Sequence, residues 1–403
     1  EIAVRIVRAC REMGIRSVVA YSAADEDSLA VRMADSAIRV GPPSARDSYL
    51  NKPSLISAAV LTRCDALHPG VGFLSENADF ARQVTDAGII FIGPKSETIG
   101  LLGDKVQAKR TARENGVPVI PGSTGSVEDG KAALEAAWEM GFPVIIKAAA
   151  GGGGKGMRIV REPEQFEQVL RMAASEAESA FSDGTVYLEK YLENPRHVEV
   201  QILADSYGNV VHLGERDCSV QEKHQKLVEE SPSPVVTPEM RESMGNDAIR
   251  LFKSLGYVGA GTIEFLVVGE EYYFMEVNAR VQVEHPVSEL VTGVDIVRDQ
   301  IRACTGEDLG MSQDDITLRG YAMECRINAR APGRVTNYLP PGGYGVRVDS
   351  FLYNGYFVPP HYDALIAKII CYGDNREEGV RRMQRALSEF VLEGVPTNLD
   401  IQK

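Results

Sequence analysis

The alternation of apolar and polar positions divides the chain into segments of different period. Residues 2–13 repeat at helical spacing and stop at Gly14, and residues 16–21 read as a strand. Residues 53–62 are helical again, and residues 89–92 form an apolar run closed by Gly93-Pro94, a buried strand. Helix alternating with strand over residues 1–95 predicts a doubly wound α/β domain with a parallel sheet. A second α/β unit starts near Lys105, with a helix over residues 127–140 and a strand over 144–147. After a glycine-rich segment come a strand at 157–160, a helix at 163–181, and antiparallel strands at 186–192, 198–204 and 210–214. Helices over 240–255 and 377–390 complete the pattern, with no internal repeat and no low-complexity stretch.

One segment departs from simple amphipathic order. Residues 262–268 and 272–277 are β-branched and aromatic runs separated by Gly269-Glu270-Glu271, which reads as strand, turn, strand. A turn centred on Glu270 sets Glu264 opposite Glu276, where Cβ atoms stand about 4.5–5.5 Å apart and like charges repel. A shared proton would relieve the repulsion, and so would a hard cation such as Mg²⁺, commonly held by one or two carboxylates and substrate phosphates. The competing reading is a pair of rim acids on a solvated face. It is weakened because Asn278, Arg280, Gln282 and Glu284 continue the polar positions, alternating with Val277, Ala279, Val281 and Val283 as along a strand. Fully extended, the run from Glu276 to Glu284 would span about 26 Å, too far to surround one small anion, so the backbone must curve or loop.

Composition narrows the class. A chain of 403 residues implies two or three domains, and 44% hydrophobic with 25% charged residues is globular. No apolar run approaches the ~18 residues of a membrane span, so a soluble protein is expected. The net charge of −14 without a basic tail argues against nucleic acid as a partner. Six scattered cysteines without C-x-x-C suggest neither zinc nor a disulfide framework and read as reduced cytoplasmic thiols. The chain opens on a helical pattern at Glu1 without Met, so a preceding strand is expected; no signal peptide is visible. The segment Gly151-Gly152-Gly153-Gly154-Lys155-Gly156 can cradle phosphate through backbone N–H groups. It is not the G-x-x-x-x-G-K-[ST] loop, and a strand rather than a helix follows it, which excludes the dinucleotide fingerprint. A flap between two antiparallel strands, closing over phosphates, fits better.

That loop, Lys105 in GDK, Lys147 in PVIIK, Glu189-Lys190-Tyr191-Leu192 and the acidic hairpin together resemble the ATP-grasp fold. The closer resemblance is to biotin carboxylase. It is carried by HPGVGFLSEN, FIGP, GGGGKGM, EKYLENPRHVEVQ, ERDCSVQEKHQKLVEESP, EVNARVQVEHPVSE and ECRINA, which cover nearly the whole chain. The resemblance implies an α/β and α+β architecture. Its parts are a doubly wound parallel-sheet domain over residues 1–95, an ATP-grasp core over 96–305 with a glycine-rich lid at about 118–190, and a mixed C-terminal domain over 306–403.

The same resemblance assigns residues. ATP phosphates would meet Lys105, Lys147 and His224, with Gly152, Gly153, Gly154 and Met157 as further ATP contacts. Glu189, Lys190 and Leu192 would meet adenine, and His197 and Gln221 the ribose. Glu264 and Glu276 would hold Mg²⁺ (or Mn²⁺), with Asn278 assisting. Lys226, Arg280, Gln282, Val283 and Glu284 would bind bicarbonate, with Glu284 as base, and Arg326 would stabilise a biotin enolate oxygen. The implied chemistry is attack of bicarbonate on the γ-phosphate of ATP, releasing ADP and giving carboxyphosphate. This falls to CO₂ and phosphate, the phosphate takes the biotin proton, and N1 of biotin is carboxylated. The chain lacks a Met-Lys attachment motif, so biotin must arrive on a biotin carboxyl carrier protein, with carboxyltransferase subunits downstream. A cytoplasmic homodimer serving acetyl-CoA carboxylase and fatty acid synthesis, or a related biotin-dependent carboxylase, is expected.

Two departures stand out. Val71 replaces the Tyr usual in HPGYGF-type motifs, and the segment after ECRINA (residues 328–333) is several residues short. The shortening is either a deletion or a missing exposed Pro/Gly loop, and the second is expected. A different ATP-grasp ligase that activates another carboxylate is disfavoured by ERDCSVQEKHQK and RVQVEHP. A non-catalytic nucleotide-binding scaffold is disfavoured because Glu264, Glu276, Arg280 and Glu284 are all present.

Overall fold

A computed structural model describes residues 1–122, 130–148, 157–181, 184–223 and 225–402. These residues form two compact units: one comprises Glu1–Val117, Arg196–Phe265 and Met275–Lys403, the other Pro118–Pro195 with the hairpin tip Leu266–Phe274.

The first residues alternate helix and strand as their pattern predicts. The Ile2–Glu12 helix leads to β1 (Val18–Ser22), which pairs in parallel with β2 (Ser36–Gly41). Two short parallel strands, β3 (Ala66–Leu67) and β4 (Ile90–Phe91), form a separate pair. Parallel pairing with helical crossovers is thus present, but among the described residues it is divided between two two-stranded ladders. The helices Ala78–Asp86 and Lys105–Glu114 each start at a side-chain cap: Asn77 accepts from Phe80 N, and Asp104 accepts from Val106 N and Gln107 N.

The second unit holds β5 (Val144–Ala148) between β6 (Met157–Val160) and β7 (Val186–Lys190), both antiparallel to it. Its core gathers Ala137, Val144, Ile146, Val160, Phe166, Ala177 and Leu188, each under 1% exposed. Each large apolar side chain buried this way contributes about 1.5–3 kcal/mol. The glycine-rich segment therefore joins two antiparallel strands, as expected for a flap; residues 149–156 themselves lie outside the description.

Eight further strands are β8 (Arg196–Ala204), β9 (Val210–Glu222), β10 (Gln225–Ser231), β11 (Gly259–Val268), β12 (Glu271–Asn278), β13 (Tyr321–Asn328), β14 (Val346–Ser350) and β15 (Leu365–Gly373). They form one eight-stranded sheet in the order β12-β11-β8-β9-β10-β13-β15-β14. The acidic hairpin is real, though its turn is Gly269-Glu270 and Glu271 already belongs to β12. The expected continuation of the strand to Glu284 fails: β12 ends at Asn278, residues 279–284 are irregular, and a helix starts at His285. This is the bend that the length argument required. The strand at 210–214 runs on to Glu222, because the charged ERDC stretch is buried rather than solvated.

Candidate active site

The site grows from two strands whose alternating residues carry charge inward. Along β8, Val198, Val200 and Ile202 alternate with Glu199 and Gln201, and every one of them is buried. Arg216 of β9 stands directly opposite Glu199 in the antiparallel ladder. Arg216 has 0% exposure, so each of its N–H groups needs a partner. Nε donates to Glu199 (2.6 Å), Nη1 to Gln201 (2.6 Å) and Ser288 (3.1 Å), and Nη2 to Thr262 (3.2 Å) and Gln282 (2.8 Å). All five donors are used.

Lys226, on β10, reaches the same centre. Its Nζ lies 2.6 Å from Glu199, 2.6 Å from Glu284 and 3.1 Å from Glu264, so one ammonium serves three carboxylates. Burial alone would lower the Lys226 pKa, but Glu199, Glu284 and Glu264 raise it, so the amine stays charged. Glu264 Oε1 accepts from Lys226, Asn278 (2.9 Å) and Gln282 (2.9 Å), while Oε2 lies 2.8 Å from His197 Nε2. Gln221 Nε2 stands 3.0 Å from the other His197 ring nitrogen. Burial favours the protonated acid at Glu264, yet the His197 hydrogen bond and the Lys226 charge outweigh it and bring the pKa down to about 2. Glu284 behaves alike: Lys226, Arg326 and Arg216 overcome its burial and hold it well below the usual carboxylate range.

The irregular segment 279–284 is tied from two sides. Glu76, from the N-terminal stretch, accepts from the Ala279 backbone N–H (2.9 Å) and from Arg280 Nε (2.8 Å). Arg280 Nη2 also donates to Asn278 Oδ1 at 2.9 Å. On the other side the fully buried Lys368 of β15 donates to the Val283 carbonyl at 2.6 Å. Arg326 of β13 donates through Nε to Glu229 (2.6 Å) and through Nη2 to Glu284 (2.9 Å).

This sequence matches three family profiles: Biotin carboxylase, N-terminal domain, over residues 1–99; Carbamoyl-phosphate synthase L chain, ATP binding domain, over 104–312; and Biotin carboxylase C-terminal domain, over 324–403. It is 52% identical to Biotin carboxylase 1 of Bacillus subtilis, over 99% of this chain and 91% of that protein. The chain belongs to the biotin carboxylase family. It is accordingly an ATP-dependent ligase. The crystal structure of the biotin carboxylase subunit of pyruvate carboxylase superposes with a TM-score of 0.92 at 47% identity, covering 100% of this chain and 91% of that one. The biotin carboxylase domain dimer of Hydrogenobacter thermophilus 2-oxoglutarate carboxylase, in complex with MgADP, ADP and bicarbonate, gives 0.85 at 46% identity, covering 100% and 90%.

Of the residues expected from biotin carboxylase resemblance, Lys226, Glu264, Asn278, Gln282, Glu284, Arg326, His197 and Gln221 join one network through the contacts above, and Arg280 joins through Asn278. Val283 enters through its carbonyl. Lys105 and Glu276 lie close by, since burial and the Glu264 charge raise the Glu276 pKa while Lys105 lowers it. In the second unit Lys147 is ion-paired with Glu189, Lys190 Nζ donates to the Gly141 carbonyl (2.9 Å), Met157 is exposed and Leu192 is half-buried. The expected contacts of Gly152, Gly153, Gly154 and His224 lie outside the described residues. Sequence reasoning missed Glu76, Glu199, Arg216, Glu229 and Lys368. A signal for two of them was present, in the alternation of Glu199 and Gln201 with Val198, Val200 and Ile202 and in the Glu215-Arg216-Asp217 run that follows Val210, Val211 and Leu213 on β9.

A hard divalent cation fits the donor chemistry of Glu264 and Glu276, which offer carboxylate oxygens. Glu276 is half-buried, accepts no hydrogen bond among the described residues, and carries the unfavourable charge of Glu264. The amide oxygen of Asn278 faces Arg280 and would have to turn to take part. His197, Glu199 and Glu264 also bring ligand atoms within 4.8 Å of one another, but Lys226 already supplies the cation there.

Proposed function

We propose that this chain carboxylates biotin in two steps, through carboxyphosphate, with the residues of the Lys226–Glu284–Arg326 network in distinct roles. One observation supports this above the others: Glu284 is buried and ionised, held between Lys226 at 2.6 Å and Arg326 at 2.9 Å. An ionised carboxylate can take the proton of bicarbonate, and the two cations beside it suit oxyanions. With both cations on it, Glu284 is a weak base. An anionic substrate that draws Lys226 away raises its basicity when a base is needed.

Arg280 presents a planar fork, steadied by Glu76, to a carboxylate-like anion, and Gln282 and the Val283 backbone border the same segment. Glu264 and Glu276, with Asn278, would hold Mg²⁺ or Mn²⁺. A divalent ion there neutralises charge developing during phosphoryl transfer. Lys105, His197 and Gln221, together with Lys147, Met157, Glu189, Lys190 and Leu192 of the second unit, are proposed nucleotide contacts. Arg326 would stabilise the enolate oxygen of biotin.

Biotin would come on a biotin carboxyl carrier protein, and carboxyltransferase subunits would use the product. We assign the half-reaction to acetyl-CoA carboxylase and fatty acid synthesis, or to another biotin-dependent carboxylase, since relatives named for pyruvate and 2-oxoglutarate carboxylases are comparably similar. A cytoplasmic homodimer is proposed. The dimer of the Hydrogenobacter relative and the six free cysteines support it. No helix of the described residues is long and apolar enough to cross a membrane.

The test is ATP turnover by the purified chain with magnesium, with and without bicarbonate and free biotin, scored together with carboxybiotin formed. Turnover needing bicarbonate and accelerated by biotin is expected. Turnover indifferent to both would refute the assignment.

A further inference from the structure

Behind Arg326 lies a pair of carboxyls with no part in the scheme above. Glu229 of β10 and Glu324 of β13 are direct partners across the antiparallel ladder. Both have 0% exposure. Glu229 Oε1 accepts from Arg326, but its Oε2 and both oxygens of Glu324 find no hydrogen-bond partner among the described residues. Opposed like charges repel, and an isolated buried carboxylate is costly, so the two groups cannot both be anions here. Of this pair Arg326 bonds only Glu229, which leaves Glu324 as the member that keeps a proton.

The geometry of Arg326 completes the picture. Nε and Nη2 are taken by Glu229 and Glu284, whereas Nη1 donates to none of the described residues. One edge of the guanidinium is clamped and the other is left for an acceptor. We propose that Glu229 is a positioning residue for Arg326, and that Glu324, as a neutral acid opposite it, lets Glu229 stand as a single buried carboxylate committed to that arginine. The inference rests on Arg326 acting on the biotin oxyanion, as proposed above. Electrostatics agree in direction. Burial raises the Glu324 pKa, Lys368 opposes this and Glu229 adds to it, so the group lies well above the ordinary carboxyl range.

Three variants of the full chain and one spectrum decide it. Glu229→Gln leaves the guanidinium edge without its anion and should lower biotin-dependent turnover roughly 10- to 100-fold through misplacement. ATP turnover with bicarbonate alone should fall less than about threefold, because that step does not use the Arg326 oxyanion contact. Glu229→Asp, which keeps the charge but retracts it, should fall between. Glu324→Gln preserves shape and neutrality and should stay within about twofold of wild type in both assays. Equal loss of both activities in Glu229→Gln would mean a structural role only. A Glu324→Gln enzyme as damaged as Glu229→Gln would mean that Glu324 works as an anion. Independently, infrared spectra at neutral pH should show a protonated-carboxyl band in wild type that Glu324→Gln removes. Absence of that band in wild type would overturn the neutral-acid assignment. A wild-type chain that never responds to biotin would instead refute the proposed function, and the spectrum would still settle the state of the carboxyl pair.

Discussion

Two neighbouring parts of the large sheet carry buried charge in opposite styles. On β8 and β9, Arg216 spends all five N–H groups, and Glu264 nearby accepts from four side chains. On β10 and β13, among the described residues, Arg326 keeps Nη1 unused and three oxygens of Glu229 and Glu324 lack partners. The sheet context is the same and the exposure is similar, yet one region is saturated and the other is not. A saturated polar network fixes geometry, since every displacement breaks a bond that water cannot replace. An unsaturated one leaves donors for a ligand. Lys226 and Glu284 bridge the two: Lys226 is bonded to Glu199 and Glu264, Glu284 to Arg326, and the two to each other.

The largest effect should come from damaging the saturated side. Arg216→Met would leave Glu199, Gln201, Thr262 and Gln282 facing an apolar chain, and should cost about 3–5 kcal/mol, as for other broken buried ion pairs. Urea unfolding measures this, and a loss below ~1 kcal/mol would show that the saturated network is no scaffold. At the junction, Glu284→Gln should lower bicarbonate-dependent ATP turnover by about 100-fold or more while calorimetry finds nucleotide binding nearly unchanged. Parallel loss of binding would make Glu284 structural. On the unsaturated side, Arg326→Ala should spare bicarbonate-dependent turnover more than biotin carboxylation, and an unchanged ratio would remove Arg326 from the second step.

The contrast also explains what could be read from the sequence. The helices and strands of the second unit, the hairpin bearing Glu264 and Glu276, and the polar alternation through Glu284 follow from local periodicity, so they were legible. Family resemblance supplied the proposed roles of Lys226 and Arg326, which no pattern of spacing reveals. Glu229 and Glu324 were invisible because other charges share their strands, Lys226 and Glu230 on β10 and Arg326 on β13, and only the pairing of β10 with β13 sets the two face to face. Glu76 and Lys368 lie far from segment 279–284 in the chain, and their bonds to Ala279, Arg280 and Val283 are tertiary. The expected strand through residue 284 failed for the same reason: period-two polarity is preserved in an irregular segment whose side chains are satisfied from different elements.

A smaller effect is expected at Glu76, which steadies Arg280 from outside both networks. Glu76→Gln keeps one acceptor for the Ala279 N–H but removes the negative charge paired with Arg280. The KM for bicarbonate should rise about tenfold, with kcat changed much less, because uniform binding rather than a transition-state contact is weakened. A fall in kcat at unchanged KM would instead place Arg280 in the chemical step.

The finest test uses protons, since the two regions should respond to pH with opposite sign. In the metal-free protein Glu264 has its pKa depressed to about 2, because His197 and Lys226 stabilise its charge against burial. Its stabilisation is complete above the unfolded value near 4.5 and is lost as pH falls toward 2. Glu324 is raised instead, by burial and the Glu229 charge against Lys368, with smaller effects from Arg326, which lowers it, and Glu1, which raises it. Its contribution is complete below the unfolded value and declines as pH climbs through the folded one, because the unfolded chain releases a proton that the native state keeps. The slope for one such group is at most ~1.4 kcal/mol per pH unit. Glu324→Gln deletes this linkage, so its stability relative to wild type should increase with pH above about 4.5, read by urea unfolding at several pH values. Glu264→Gln should gain on wild type only as the solution becomes acid. Parallel curves for the two variants would abolish the distinction between a carboxylate held by donors and a carboxyl left without them.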